Sequence, residues 1–233
     1  MRSKICRVMF ASALAVHAGA VHGRVEIVSS QDPDVRKHSD FSGVVIWLDP
    51  VSGPPPVPLN RPRAEMVQRN KRFTPHILPI AIGTIVDFPN YDPIYHNAFS
   101  NFDGQIFDVG LYPPGSTKSV LFHREGIVRI FCDIHSTMSA VIVVLKSPYF
   151  IVSAKSGEFT IANLPPASYR LHVFHERATQ PTLDALTRIV DVPAGTVDEG
   201  VISVSETGYL NLPHKNKYGK DYPASGAYSG TRP

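Results

Sequence analysis

The sequence predicts an all-β protein. Its apolar residues fall in short runs of strand length, and several runs alternate with polar residues as a half-buried strand requires. Turn-forming residues separate the runs, and the chain contains 21 Pro and 16 Gly, which interrupt helices. Helical periodicity is hard to find, so the regular spacing of short strands favours sandwiches or barrels. The predicted strands are residues 24–28, 44–48, 77–82, 84–88, 119–122, 127–132, 140–145, 158–161, 169–174, 187–192 and 200–204.

The N-terminus has the pattern of a secretory signal peptide. Three basic residues precede a short apolar run, and a small-x-small pattern ends at Ala20. A transmembrane anchor is the alternative, but a bilayer span needs about 20 apolar residues and this run is much shorter. We therefore expect residues 1–20 to be removed, with cleavage after Gly23 as the second choice. The expected location is the periplasm, without stable membrane insertion after cleavage.

Cleavage would change the charge and the cysteine content of the chain. It would remove three of the 23 Lys and Arg residues and none of the 20 Asp and Glu residues, which leaves a formally neutral chain without a basic run. Such a chain offers no electrostatic surface for nucleic acid or for an anionic membrane. Cys6 would also be lost, so Cys132 would remain as a single thiol without a disulfide partner. In an oxidising compartment, a spare thiol has to be buried or bound.

Cys132 is expected at the end of a strand, facing inward. The strand period of two places Val128, Ile130 and Cys132 on one face. A loop follows before the next strand begins, so His135 and Met138 can fold back over the cysteine. The three side chains would then surround one point at the rim of a sandwich.

These side chains suggest a copper site. A thiolate, an imidazole and a thioether are soft ligands, and a second imidazole would complete the His₂Cys set with a weak axial Met that is typical of blue-copper electron-transfer sites. His96 follows a strand and a turn upstream, and the chain between His96 and Cys132 is long enough for two connecting strands. Those strands would return the chain to the same rim.

Residues 64–145 resemble a cupredoxin of the plastocyanin and amicyanin branch. The resemblance lies in "GTIVDFPN", in the pair His96-Asn97, in "GLYPPGS" and in the ligand loop "CDIHSTM". It implies a Greek-key sandwich that binds one type 1 copper ion. The ligands that the resemblance implies are His96, Cys132, His135 and Met138, with Asn97 bracing the ligand loop and hydrogen bonding near the sulfur.

The ligand loop departs from this resemblance at two positions. Ser136 stands where relatives often have proline, and Ala140 stands where they often have glycine. These departures concern the shape of the loop and the reduction potential more than the choice of metal.

Other interpretations of Cys132 remain open. The thiol could simply pack in a core, as buried cysteines commonly do, and the domain could be a metal-free relative. Structural zinc sites usually use more than one cysteine, and no protease signature surrounds a Cys-His nucleophile here. The sequence offers no second metal-binding cluster, and the remaining histidines are interpreted as hydrogen-bonded or solvated: His76, His123, His172 and His175.

A second resemblance covers residues 153–176. This segment is similar to the carboxypeptidase-regulatory-like, transthyretin-type sandwich, which needs two further strands before it. "GRVEIV" and "GVVIWL" near the N-terminus can supply them, so we expect a transthyretin-like sandwich formed by residues 21–60 and 146–207. The cupredoxin domain, residues 61–145, would be inserted into it. Two domains in tandem are the alternative arrangement.

The segments around these domains differ in composition. Residues 50–63 are rich in proline and predict a stiff linker. Residues 208–233 are polar and rich in Gly, Tyr and Ser, which predicts a flexible, disordered tail.

Three functions follow from these interpretations. The complete ligand set favours a periplasmic electron carrier that serves unidentified redox partner proteins, with His135 as the expected exit for electrons. Copper binding for delivery is the second function, and a non-redox adhesion or scaffolding role of the transthyretin-like sandwich is the third. The sequence shows no general acid-base pair, nucleotide loop or catalytic triad, so we do not expect an enzyme.

Overall fold

The computed structural model describes residues 18–56, 61–101, 104–210 and 213–222. Most of the expected signal peptide lies outside the described residues, but Gly19 and Ala20 belong to the first strand. The protein is all-β, with two short helices. The elements are β1 Gly19–Val28, α1 Pro33–His38, β2 Val45–Pro50, β3 Arg63–Glu65, β4 Val67–Arg69, β5 Arg72–Thr74, β6 Ile77–Ala81, β7 Ile85–Pro89, β8 Phe99–Ser100, β9 Phe107–Asp108, β10 Thr117–Leu121, β11 Gly126–Phe131, β12 Ser139–Leu145, β13 Phe150–Val152, β14 Glu158–Leu164, β15 Ala167–Phe174, α2 Gln180–Leu186, β16 Arg188–Val192 and β17 Thr196–Ser205.

The predicted strands are confirmed, and the two helices were missed. Each predicted run overlaps a strand of the structure, with ends that differ by a few residues. The helices span only six and seven residues, which is too short for an apolar periodicity to be visible. α1 is instead fixed by its first turn, where Asp32 accepts a hydrogen bond from the Asp34 N–H and Pro33 follows the cap.

Strands from the two ends of the chain form one pair of sheets. β1 pairs antiparallel with β14 and parallel with β17, while β2 lies between β13 and β15 in a sheet that ends with β16. The apolar side chains between these sheets form one core, which includes Val25, Ile46 and Leu171. We call this pair of sheets the outer sandwich.

The middle of the chain forms a second pair of sheets. One sheet has the order β10-β7-β3 and the other has the order β6-β12-β11-β8-β9. Their shared core contains Phe88, Ile130 and Phe122 together with Cys132 and Met138. We call this pair the inner sandwich, and β4 and β5 form a separate hairpin beside it.

β12 is buried on both faces, which explains its uninterrupted apolar sequence. Ala140, Ile142 and Val144 face the core of the inner sandwich. The alternate residues of the same strand face the outer sandwich, where β2, β15 and α2 meet them. This interface cluster is Val45, Ile77, Val141, Val143, Leu145, Phe174 and Leu183.

The described part of the C-terminal segment contacts the inner sandwich. The His214 ring stacks on Phe131 with centroids 4.2 Å apart, and the Tyr222 hydroxyl donates to the carbonyl oxygen of Cys132 at 2.7 Å. The stretch that was expected to be a flexible tail therefore includes residues 213–222, which bind to the sheet, whereas residues 211–212 and 223–233 lie outside the described residues.

Within the described ranges, no helix combines the length and the apolar character that crossing a bilayer would require.

Candidate metal centre

Two separate segments bring the candidate ligands together. His96 lies in the loop between β7 and β8, where its backbone exchanges two hydrogen bonds with Tyr112, of 3.2 Å and 2.9 Å. Cys132 directly follows β11, and the loop to β12 carries His135 and Met138. Two backbone hydrogen bonds close that loop, from Cys132 N–H to the Met138 carbonyl and from Met138 N–H to the His135 carbonyl. The backbone thus holds both segments at one rim.

The two imidazoles converge on the thiol. Nδ1 of His96 lies 3.9 Å from Cys132 Sγ, and Nδ1 of His135 lies 3.5 Å from it. The candidate ligand atoms of these three residues all lie within 4.8 Å of one another, and they form the one such cluster of His, Cys, Asp and Glu side chains among the described residues. His96 and Cys132 are fully buried, while His135 is partly exposed.

Asp92 fixes the orientation of the His96 ring. Its Oδ2 lies 2.7 Å from His96 Nε2, and the carboxylate also accepts backbone N–H groups from Asn70 at 2.6 Å and Lys71 at 2.8 Å. Burial alone raises the pKa of Asp92, but the N–H groups of Lys71, His96 and Asn70 together hold it below its ordinary value. An ionised Asp92 accepts a hydrogen bond from Nε2–H, so Nδ1 of His96 keeps its lone pair toward the thiol.

Asn70 and Lys71 are placed by an unusual turn. Both residues have positive φ, 55° and 54°, and they join β4 to β5 as a two-residue hairpin turn. Residues other than glycine rarely adopt this backbone conformation. The N–H groups of both residues point to Asp92, whose negative charge stabilises the turn.

The sulfur of Cys132 is buried but surrounded by donors. Burial raises the pKa of the thiol, while the backbone N–H groups of Ile134, Asn97 and His135 act in the opposite direction. These three groups offer hydrogen bonds to a thiolate, which is the form that binds a metal. The site therefore suits a sulfur that loses its proton on metal binding.

Asn97 braces its surroundings by a route that the sequence did not predict. Its side-chain Nδ2 donates to Asp108 Oδ1 at 2.7 Å, and the ion pair between Asp108 and Lys217 measures 2.9 Å. The Lys217 N–H in turn donates to Asp133, at the start of the ligand loop. Asn97 is thus connected to the loop through the C-terminal segment, in addition to its backbone N–H near the sulfur.

His135 is held in its neutral form. Burial lowers its pKa, and the nearby His96 and Lys71 lower it further, to about 4. Since only a neutral imidazole has a free lone pair, His135 is available as a ligand at neutral pH. Met138 is fully buried in the same core cluster as Cys132.

The donor set fits copper. A metal with bonds of about 2.0 Å to nitrogen and about 2.3 Å to sulfur separates trigonal ligand atoms by roughly 3.7 Å. The two observed sulfur-to-nitrogen distances, 3.9 Å and 3.5 Å, lie on either side of that value. The thiol and the two imidazoles therefore lie at separations that suit one metal ion. One thiolate with two imidazoles, and a thioether in the same buried cluster, is a soft donor set of the kind that copper binds.

The sequence predicted that His96, Cys132 and His135 lie together, but it did not predict that Asp92 supports His96. Asp92 precedes His96 by four positions, in a stretch whose Pro, Asn and Asp residues are typical of a turn. The signal was weak because the role of Asp92 depends on the β4–β5 turn folding over it. His76, which was interpreted as hydrogen-bonded or solvated, is hydrogen-bonded, and one of its partners is Ser139 at the end of the ligand loop.

Comparison with known proteins found structural likenesses of limited extent. No family model matches the chain, and no curated protein matches it. A purple cupredoxin from Nitrosopumilus maritimus is similar over 35% of this chain and 99% of its own, with 22% identity and a TM-score of 0.33. Amicyanin from Paracoccus versutus is similar over 42% of this chain and 97% of its own, with 17% identity and a TM-score of 0.33. A Cu-containing nitrite reductase from Thermus scotoductus is similar over 52% of this chain but only 28% of its own, with 21% identity and a TM-score of 0.35.

Proposed function

We propose that this protein is an exported type 1 copper protein that transfers electrons. The observation that carries the proposal is the convergence of the two Nδ1 atoms on the buried Cys132 sulfur. His96, Cys132 and His135 would hold the ion, and Met138 would supply a weak axial contact. Bound copper supplies a one-electron redox couple, and the protein supplies a rigid, largely buried set of ligands.

The surrounding residues support fast electron transfer by limiting rearrangement. Asp92 and the backbone of Tyr112 hold His96 from two sides, while backbone hydrogen bonds hold the Cys132 loop. A site that keeps one geometry in both oxidation states needs little reorganisation when an electron arrives or leaves. The three N–H groups near the sulfur would stabilise the thiolate in both states.

His135 is the proposed exit for electrons. It is the partly exposed member of the cluster, whereas His96, Cys132 and Met138 are fully buried. A redox partner protein would therefore approach the rim that carries His135. We include in the proposal a periplasmic location, no enzymatic reaction and no nucleic-acid partner.

We also propose the domain division described above, with the inner sandwich as the copper domain and the outer sandwich as the transthyretin-like domain. The pairing of β1 with both β14 and β17 supports the insertion, because one continuous chain leaves the outer sandwich and returns to it.

A visible spectrum tests the copper assignment. The purified protein with one equivalent of Cu(II) is expected to show an intense thiolate-to-copper charge-transfer band, because Cys132 would bind as thiolate. Cys132→Ser is expected to lose the band, and His135→Ala to bind copper much more weakly. A wild type that stays colourless, or a Cys132→Ser variant that keeps the band, would contradict the assignment.

A competition experiment separates electron transfer from copper delivery. An electron carrier is expected to exchange electrons rapidly with a small redox partner and to keep its copper in the presence of a chelator. Slow exchange, together with ready loss of Cu(I) to the chelator, would favour delivery instead. The outer sandwich, which a simple carrier does not need, is the feature that makes this second function worth testing.

A further inference from the structure

The two sandwiches are joined by an ion pair beside their apolar interface. His76 directly precedes β6 of the inner sandwich, and Glu176 follows β15 of the outer sandwich. His76 Nε2 lies 2.8 Å and 2.9 Å from the two carboxylate oxygens of Glu176. This ion pair joins the inner sandwich to the outer sandwich.

The other nitrogen of His76 contacts the end of the ligand loop. His76 Nδ1 lies 3.1 Å from the carbonyl oxygen of Ser139, the first residue of β12 and the residue that follows Met138. Ser139 and Glu176 present only acceptors to the ring, so both nitrogens carry protons when both bonds are formed. His76 is therefore an imidazolium that connects a carboxylate of one sandwich to the ligand loop of the other.

The charges around His76 favour this protonated state. The hydrogen bond to Glu176 raises the pKa of His76; burial and the nearby Arg177 oppose the effect, and the Ser139 carbonyl adds to it. Burial alone raises the pKa of Glu176, but His76 and Arg177 hold it below its ordinary value. The cavities that His76 lines also contain other charged or titratable groups: Asp32, Asp34, Asp40, His175 and Glu206.

We propose that His76 is a positioning residue for the axial ligand of the copper site. His76 hydrogen-bonds to Glu176 with one nitrogen and to the Ser139 carbonyl with the other. It thereby holds the end of the loop that carries Met138. The inference rests on the proposed copper function, because it assigns a role to the outer sandwich within that function. The outer sandwich would stabilise one position of the loop.

The axial ligand is the point where such a contact has most effect. Thiolate and imidazole bonds to copper are strong, but a thioether contact is weak and long, so the protein fold sets its length. Ser139 pairs with Phe131 across β11 and β12, and the Cys132 N–H binds the Met138 carbonyl. Ser139 is covalently bonded to Met138, so a shift of Ser139 would move Met138, while the strong bonds of the thiolate and the imidazoles to copper would keep those ligands bound.

The contact of His76 with Glu176 and Ser139 depends on pH, and the protonation state of His76 decides whether it is strengthened or weakened. Below the ordinary pKa of histidine, His76 is protonated and donates both bonds. As the pH rises through the raised pKa of the folded protein, one bond loses its donor and the stabilisation is lost. The reduction potential is thus expected to be constant in mildly acidic solution and to shift as the pH rises above about 6.5.

The test compares His76→Gln and Glu176→Gln with Glu125→Gln. Glu125 directly precedes β11 and forms an exposed ion pair, at 2.6 Å, with Lys146, which directly follows β12. Its substitution therefore removes the same charge at the opposite ends of these strands, away from the ligand loop. In the copper-loaded protein, the first two variants are expected to shift the reduction potential and to flatten its pH profile, with copper stoichiometry unchanged. The double variant is expected to resemble either single variant, because both substitutions break one contact. Glu125→Gln is expected to behave as wild type.

A second measurement uses the metal-free protein. Nuclear magnetic resonance is expected to show a lower pKa for His76 in Glu176→Gln and faster amide hydrogen exchange at Ser139 and Ala140. If the variants keep the wild-type potential and pH profile while the copper band is present, the inference is wrong and the proposed function stands. If the wild type shows no copper band, the proposed function is wrong, and unchanged hydrogen exchange would then overturn the positioning role as well.

Discussion

Each sandwich contains a buried histidine whose Nε2 lies against a carboxylate, and the two pairs have different surroundings. In the inner sandwich, His96 and Asp92 are 2.7 Å apart; in the outer sandwich, His175 and Glu206 are 2.8 Å apart. Nδ1 of His96 faces the Cys132 sulfur, whereas Nδ1 of His175 is buried and has no hydrogen-bond partner in the part of the chain that the structure describes. A histidine-carboxylate pair therefore does not define a metal site, and the side chain opposite Nδ1 decides its role.

The carboxylates also serve different partners. Asp92 accepts two backbone N–H groups besides His96, while Glu206 binds Ser30, His175 and Arg177. Burial lowers the pKa of His175. The outer pair thus belongs to a structural network, and the inner pair orients a candidate ligand.

The largest expected effect comes from substituting the two histidines in parallel. His96→Gln is expected to abolish the copper band, because one of the strong ligands is lost. His175→Gln is expected to keep the band and to lower the free energy of unfolding by about 1–3 kcal/mol, since a buried hydrogen-bonded group is replaced. Copper titrations and denaturant unfolding would measure the two effects. Loss of copper from a folded His175→Gln variant would contradict the distinction between the pairs.

Glu206→Ala is expected to have the next largest effect. It leaves Arg177 and His175 without their shared carboxylate, and removing one partner of a buried ion pair costs about 3 kcal/mol. We take the lower end of the usual range of about 3–5 kcal/mol, because the Arg177 side chain is 24% exposed and can turn toward water. Thermal unfolding should show the loss, while the copper spectrum of the folded variant should match that of wild type.

Asp92→Asn is expected to have a smaller effect that is confined to the copper site. The amide has one acceptor oxygen, so it cannot satisfy both His96 and the turn N–H groups that the carboxylate binds. Loss of such an outer partner typically reduces metal affinity 10- to 100-fold. We expect weaker copper binding and a higher reduction potential, because a neutral partner makes the imidazole a poorer donor to Cu(II).

Asp87→Asn is the control for this substitution. Asp87 lies on β7 of the same sandwich and binds Arg63 and Ser119 rather than a candidate ligand. The substitution Asp87→Asn removes the same charge as Asp92→Asn without touching a candidate ligand. The reduction potential of this variant should therefore stay close to that of wild type. Equal shifts in both variants would mean that net charge, and not the hydrogen bond to His96, sets the potential.

The comparison shows which features could be predicted from the sequence. Strand positions were predictable because alternation and turn residues are local. The cluster of candidate ligand atoms was predictable in part, because Cys132 and His135 share one loop. The contacts that orient these ligands were not predictable. Asp92 depends on a turn more than twenty positions upstream, and His76 meets Glu176 across a separation of 100 residues. Such pairs form only after the sheets have packed, so local patterns do not reveal them.

The smallest expected effect on copper affinity comes from Met138. As the proposed axial donor, its thioether would bind copper weakly, so most of the affinity would come from the thiolate and the two imidazoles. Met138→Gln is expected to keep copper bound and to lower the reduction potential, because an amide oxygen is a harder donor and favours Cu(II). Met138→Leu keeps a similar apolar volume without a donor atom, so it is expected to raise the potential.

The opposite signs of these two shifts distinguish an axial ligand from a core residue. Met138 lies in the same buried cluster as Phe122 and Ile130, where it could simply fill space. If it only packs, Met138→Gln would destabilise the protein by burying a polar amide, and Met138→Leu would be nearly neutral, with no change in potential in either case. Voltammetry and unfolding curves on the same samples would separate the two roles. A reduction potential that moves in the same direction in both variants would contradict axial ligation. Only a residue whose side chain faces the copper gives shifts of opposite sign when a harder donor replaces its sulfur and when the donor is removed.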